Sequence, residues 1–468
     1  MSFTIKVNSF FRLFKQAIRG DQQDYTVLSI DKAILLLAIP MVLEMAMESL
    51  FAVVDAFFVG QLHDNSAIAT IGLTESLLSL IYSLAMGLGI GATAMVARRV
   101  GEKDIEAAKE AGAQAVLLGI ILSLAISVVG IFFSEDLLRL MGGSESLIEK
   151  NSGYTRWMIT GNMSIMLLFL INGVFRGAGD ASIAMRSLIL ANLVNMILDP
   201  IFIFGFGPIP AFGVEGAAIA TTTGRSIGVL YQLYHLVRGK GIIMLHAKHL
   251  VAQWHIVWRL IVISSGSTGQ FLIGSGSWIF LNRIMSSFGE AALGGYTFAI
   301  RVIVFAILPA WGMANAAATL VGQNLGAGHP DRAEQSAWRA AFLNMIFLGV
   351  VTVVFFLLAR PIIGLFSIDP IAIEQGAECL QIVSLGYVFY AFSMVINQSF
   401  NGAGDTRTPT MISFVGFWLF QIPLAYLLAE TFQVGTTGVY AAIAIAESLM
   451  AIAGIIIFRQ GKWKLAKV

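Results

Sequence analysis

Three carboxylates, Glu44, Glu48 and Asp55, stand in one apolar stretch from Pro40 to Gly60. At about 100° per residue, Glu48 and Asp55 fall roughly 40° and 20° from Glu44, so all three share one helix face. An acid near mid-membrane costs about 2.5 to 3.5 kcal/mol on insertion scales, so such residues face a bundle interior or a water-filled path and mark routes for ions or substrates. A second polar stripe follows in Asn192, Asn195 and Asp199, within about 60° of one another on a helix and just before Pro200, with hydroxyls next at Thr221, Thr222 and Thr223. Carboxylate, amide and hydroxyl oxygens are ligands of hard cations such as Na⁺, and a carboxyl taken out of water can carry protons near neutral pH. Glu75 and Glu447 complete the acids inside apolar segments, and Arg301 and Arg283 are basic counterparts that could pair with an acid across a cleft.

Such residues need a membrane bundle to position them, and composition supplies one. Of 468 residues 57% are hydrophobic and only 12% charged, with mean hydropathy +0.81. Charged residues make up about 25% of soluble chains, so the chain reads as an all-α polytopic membrane protein. A net charge of +1 gives no sign of nucleic acid as a partner; the bilayer is the expected surrounding. Cys379 is alone, which excludes a disulfide framework within the chain. His246 and His249 have i, i+3 spacing in a basic linker without acidic or cysteine company, and read as part of an interfacial segment rather than a metal site.

Residues 1–30 alternate Phe3, Ile5, Val7, Phe10, Phe11 and Phe14 with Lys6, Arg12, Lys15 and Arg19, the pattern of an amphipathic helix on the cytoplasmic face rather than a signal peptide. Apolar segments of spanning length start near residues 33, 67, 110, 153, 182, 214, 255, 292, 338, 378, 408 and 436, giving twelve transmembrane helices. About 22 of the 29 Lys and Arg residues fall with the termini and the even-numbered connections, Arg176 among them after helix 4, which places both termini in the cytoplasm. The resulting division is 1–30 as an N-terminal segment, 31–238 as helices 1 to 6, 239–254 as a cytoplasmic linker, and 255–468 as helices 7 to 12 with a basic tail.

Gly177-Ala178-Gly179-Asp180 recurs as Gly402-Ala403-Gly404-Asp405, and the same shift of about 225 residues carries Val96 onto Val321 and Gly101 onto Gly326. Six helices per copy make the copies parallel, so the fold expected is two six-helix lobes related by a pseudo-two-fold axis along the membrane normal. Such folds bind substrate and ions between or within the halves and rock one against the other. The Gly-Ala-Gly-Asp repeats themselves read as turns and helix caps, since no Gly-Lys-Ser/Thr follows. Helices 7, 8, 10 and 11 lack interior acids, which assigns ion coupling to the first lobe.

The sequence resembles the multidrug and toxic compound extrusion (MATE) family over essentially all of residues 30 to 460. The resemblance rests on Val54 to Gly60, Phe175 to Asp180, Asn195 with Asp199-Pro200, Gly216 to Thr221, and Asn401 to Thr406. It implies export of amphipathic, often cationic compounds in exchange for H⁺ or Na⁺, by a monomer in the cytoplasmic membrane that needs no cofactor. It is closest to the DinF-like branch, and this implies a coupling site of Asp55, Asn195, Asp199, the carbonyl of Ala217 and the hydroxyl of Thr221, with Pro40 as the residue that bends helix 1. Acids that the NorM-like branch carries in helices 7 and 10 are absent, and Gln270, Asn397 and Gln398 are the nearest polar groups. Glu44 and Glu48 are extra to the pattern; with Glu75, Glu447, Gln270 and Arg301 they are candidates for a further coupling or substrate role. The main alternative is a flippase for lipids or lipid-linked oligosaccharides, which would want a strongly cationic cavity; Arg301 is the one cation the sequence places there. No intramembrane Ser/Lys pair, HExxH or GxGD protease motif supports an enzyme.

Overall fold

A computed structural model describes residues 3–62, 64–239 and 241–468, and the side chains of residues 3–10, 52, 56, 65 and 247 are outside that description. Lys240 of the linker and the apolar and basic side chains of residues 3–10 therefore lie outside the described residues. The described chain is helical almost throughout. A peripheral helix α1 (Phe3–Arg19) precedes α2 (Ile30–Gly60), α3 (Asn65–Gly101), α4 (Ile105–Leu140), α5 (Glu145–Thr160), α6 (Asn162–Ala178), α7 (Ala181–Phe204) and α8 (Val214–Arg238). The second half comprises α9 (Trp254–Ser286), α10 (Glu290–Gly326), α11 (Pro330–Ile363), α12 (Pro370–Leu385), α13 (Tyr387–Ala403), α14 (Arg407–Ser413), α15 (Ile422–Tyr426) and α16 (Thr436–Arg459). Counting α5 with α6, α12 with α13, and the run 407–431 as single spans gives twelve, arranged as two lobes of six. Among the described residues ten helical runs are long and apolar enough to cross a membrane, and the bent pair α12–α13 makes eleven; the twelfth, α8, is more polar because it carries Arg225, Gln232 and His235.

Several helices begin five to eight residues before the apolar segments that announce them. The extra turns are polar and capped: Asp104 accepts from the Ala107 N–H, Ser144 from that of Leu147 and Asp369 from that of Ile371. These caps satisfy N–H groups that helix starts leave without partners, so the helix outruns its hydrophobic window.

The repeat is visible in hydrogen bonds. α6 and α13 both end in a left-handed glycine, Gly179 (φ 84°) and Gly404 (φ 91°). The next N–H returns to the carbonyl five residues back in each copy, Asp180 to Phe175 at 2.9 Å and Asp405 to Phe400 at 3.0 Å. This is the Schellman closure that a glycine makes without strain, so both Gly-Ala-Gly-Asp segments are helix caps. The breaks at Gly161 and Gly386 are also 225 residues apart. One departure separates the lobes: 414–421 and 427–431 are π-helical, whereas the equivalent α7 is a regular helix containing Pro200.

The lobes touch in the half of the molecule nearer both termini, termed here the terminal face. Gln323 donates to the Gly177 carbonyl at 2.9 Å, Thr319 to that of Arg176 at 3.2 Å, and Arg339 to Asp31 at 2.6 Å. The C-terminal segment adds bonds to Ala466 from Arg98 and to Val468 from Arg99. α3 and α10 approach so closely that a Cβ on Gly101 would sit 2.0 Å from the Gln323 carbonyl oxygen. Gly101→Leu is therefore expected to wedge this face apart. In a Cys379→Ser background, a cysteine at the fully buried Ala97 should then react several-fold faster with a membrane-impermeant maleimide added from that side.

The linker is docked rather than free. Gln114 of α4 donates to the carbonyls of His249 and Val251 at 2.9 and 2.8 Å, and accepts from the Gln253 N–H at 3.0 Å. His249 closes a cap with the His246 N–H at 3.0 Å and meets Glu106 at 2.9 Å, so His249 ties the linker to the first lobe.

Candidate functional site

The acidic face of α2 points into the first lobe, and each acid meets a different station. Nearest the terminal face, Glu44 is fully buried; it accepts from Asn172 at 2.8 Å and from Arg176 at 3.2 Å, both on α6. Asn172 in turn accepts from Gln232, which also donates to Ser187 at 2.9 Å. One turn on, Glu48 pairs with Arg225 of α8 at 3.1 Å. Arg225 also donates to the Tyr82 hydroxyl at 2.6 Å, and its guanidinium lies 4.7 Å from the centre of the Phe51 ring. Planar guanidinium groups suit such bidentate and stacked burial.

The third station differs in kind. Asp55 accepts from the Thr221 hydroxyl at 3.0 Å, and Asn195 donates to Asp199 at 3.2 Å and to Thr221 at 3.5 Å. Asp55 and Asp199 are within hydrogen-bonding reach of each other. No ion pair engages either acid among the described residues. Asp55 Oδ1, Asp199 Oδ2 and Asn195 Oδ1 are buried without a partner. Ala217, one turn before Thr221 on the same helix, is also buried. Helical spacing explains the meeting: Asn195 and Asp199 are i, i+4 neighbours on α7, and Thr221 lies on the α8 face packed against them. Asp55, Asn195, Asp199 and Thr221 are thus brought together, with Ala217 one turn away on α8.

Two findings amend the sequence reading. Glu44 and Glu48 are not free acids, because each is neutralised by an arginine. Arg176 does not end helix 4 in solvent, and Arg301 is not the only membrane cation: Arg176 and Arg225 are 6% and 4% exposed. An unpaired buried charge is far costlier than a paired one, which is why these four residues are found as two pairs. Arg225 stands eleven residues past the start of α8, where its own insertion cost is the signal that points to it.

The remaining candidates lie apart. Glu75 of α3 and Arg301 of α10 are exposed on facing lobes, where they interact electrostatically without an ion pair. Pro40 lies within an unbroken α2. In the second lobe, Gln270 exchanges hydrogen bonds with Asn401 at 3.0 and 3.2 Å. Asn401 is the repeat equivalent of Arg176, and Gln270 stands one residue from that of Glu44, so a neutral amide pair replaces the ion pair. The equivalents of Asp55, Asn195, Asp199 and Thr221 are Phe280, Phe420, Leu424 and Ala446, and Ser277 bonded to Gln421 at 2.9 Å is the nearest polar pair. Glu447 of α16 has no hydrogen-bond or ion-pair partner among the described residues.

Comparison with known proteins agrees with this architecture. A family model, MatE, matches residues 40–201 and 267–427, once in each lobe. The chain is 25% identical over 456 residues to the probable multidrug resistance protein NorM of Thermotoga maritima, covering 97% of both chains. It is 26% identical over 404 residues to the FAD transporter of Shewanella oneidensis, covering 86% of this chain and 88% of the relative. Among solved structures, a MOP superfamily transporter from Pyrococcus furiosus superposes with a TM-score of 0.88 at 27% identity, covering 97% of this chain and 98% of the other. MATE in its straight conformation gives 0.87 at 28% identity, covering 95% and 97%. These likenesses do not select the DinF-like branch.

Proposed function

Because the chain belongs to the MatE family of multi-pass membrane transporters, we propose that it exports amphipathic, cationic small molecules across the cytoplasmic membrane in exchange for H⁺ or Na⁺, with coupling at Asp55 and Asp199. The terminal face is the cytoplasmic one in this reading, as the distribution of Lys and Arg favours, so the contacts between the lobes lie on the cytoplasmic side. The observation that carries the proposal is that two carboxyls lie within hydrogen-bonding reach of each other with no ion pair at either among the described residues, and that one oxygen of each, with one of Asn195, is buried without a partner. Like charges in contact repel, so the arrangement is completed by a proton shared between them or by a small cation held through Asp55, Asn195, Asp199, Thr221 and the Ala217 carbonyl.

The two arginine pairs sharpen this reading. They cancel Glu44 against Arg176 and Glu48 against Arg225, so the net charge of the first lobe's interior resides in the aspartates. An ion entering from outside removes that charge, and a cationic substrate competes for it. Exchange of one proton for one monovalent cation moves no net charge; the pH gradient alone then drives it, worth about tenfold in substrate per pH unit. A neutral substrate also gains from the membrane potential, about 2.3 kcal/mol per 100 mV. A flippase for lipid-linked pyrophosphate loses support, because the buried arginines are committed to carboxylates.

Everted vesicles containing the protein, given a proton gradient and a sodium gradient separately, test the proposal. Gradient-driven movement of a lipophilic cation such as ethidium is expected with at least one of them. No movement with either would overturn it.

A further inference from the structure

We propose that the second lobe holds a subsite for the cationic aromatic part of the substrate, built from Glu447 and the side chains of Tyr390, Trp311 and Phe271. The inference rests on the transport reading above and adds a second-lobe acid that attracts the substrate's charge alongside the first-lobe aspartates. Glu447 lies midway along α16, Tyr390 on α13, Trp311 on α10 and Phe271 on α9, so four helices contribute at a common depth. All four side chains are half-buried, as expected for the wall of a cavity. Phe271 and Trp311 pack with ring centres 5.6 Å apart, and the Trp311 indole neighbours the Tyr390 hydroxyl. Glu447 is within electrostatic reach of both Tyr387 and Tyr390. Gln270, beside Phe271, is fixed by its bonds to Asn401, which holds this part of α9 in place.

The carboxyl on this wall has no partner among the described residues of the lobe. Among the described residues no ion pair or hydrogen bond reaches Glu447, and burial alone, with no nearby cation, sets its electrostatic surroundings. That contrasts with Glu44 and Glu48, each provided with an arginine. Aromatic faces with one carboxylate are the arrangement that recognises organic cations, through attraction of the cation to ring faces and to the acid. The N-lobe counterpart of Glu447 under the repeat is Thr222, so the feature is not a relic of internal symmetry.

Equilibrium dialysis on the purified full chain in detergent tests this with two ligands of similar aromatic content, the cation tetraphenylphosphonium and the uncharged triphenylphosphine oxide. Glu447→Gln is expected to weaken the cation about tenfold and leave the uncharged ligand within twofold. Glu447→Asp, which keeps the charge but withdraws it by one methylene, should lose less than Glu447→Gln for the cation alone. Trp311→Ala should weaken both ligands. Unchanged cation affinity in Glu447→Gln, or equal loss for both ligands, would overturn the subsite. Failure of wild-type vesicles to move any probe would remove the transport reading while leaving a charge-selective loss on Glu447→Gln standing, so the two outcomes separate.

Discussion

Asp55→Asn is expected to abolish gradient-driven efflux, by tenfold or more in initial rate, without lowering the stability of the protein. Asparagine has the same size and still accepts from the Thr221 hydroxyl, which lies 3.0 Å from Asp55. What it removes is one of two carboxyls in contact, and with it the need for a proton or cation between them. Asp199→Asn should act alike, because Asn195 can remain a partner to its amide and the pair is again reduced to one acid. Vesicle efflux compared with thermal unfolding in detergent separates the two effects. Loss of transport together with loss of folding would make the residue structural. Retained transport with the usual ion dependence would remove Asp55 from coupling.

The largest effect on stability is expected at Arg225. Arg225→Met leaves Glu48 buried without its counter-charge and Tyr82 without the 2.6 Å donor. Breaking a buried pair from one side costs about 3 to 5 kcal/mol. Glu48→Gln combined with Arg225→Met should recover most of it, since no uncompensated charge remains. A double-mutant cycle on unfolding free energy reads this coupling directly. Additive single losses would mean that the pair contributes nothing as a pair. Arg176 and Glu44 invite the same cycle, cushioned by the additional donor Asn172 at 2.8 Å.

These expectations explain why the first lobe tolerates three acids on one helix. Two are matched within the bundle and act as fixed struts between α2, α6 and α8, while the third is held by the Thr221 hydroxyl and faces Asp199, with no ion pair among the described residues. The second lobe repeats the scaffold with neutral groups, Gln270 with Asn401 and Ser277 with Gln421. Its own free charge, Glu447, lies on a different helix from any of the three acids on α2.

Much of this was legible in the residues. The cost of a carboxylate in an apolar helix marked Glu44, Glu48 and Asp55 together, the family resemblance picked Asp55 from the three, and helical spacing joined Asn195 to Asp199. The 225-residue repeat revealed the lobes, and the glycines of its two copies revealed the caps. The arginine partners were harder to see for a physical reason. Counting Lys and Arg by loop serves to orient a membrane chain, but it absorbs a buried Arg225 or Arg176 into the tally of interfacial charges. Which acid each would meet depends on how α6 and α8 turn toward α2, and no local spacing encodes that. Helix starts were read late at α4, α5, α11 and α12 because a hydrophobic window cannot register a polar first turn.

In this mechanism substrate and coupling ion compete through Asp55 and Asp199. Linkage makes that competition reciprocal at equilibrium, so it can be read from binding alone. The measurement is the affinity of purified protein for tetraphenylphosphonium, titrated against pH at fixed Na⁺ and against Na⁺ at fixed pH, in wild type and in Asp55→Asn/Asp199→Asn. Wild type should bind the cation more weakly as protons or Na⁺ are added, and the double variant should lose all of that dependence except the part due to protons at Glu447, which Glu447→Gln removes. An ion dependence that survives unchanged in the double variant would contradict the account.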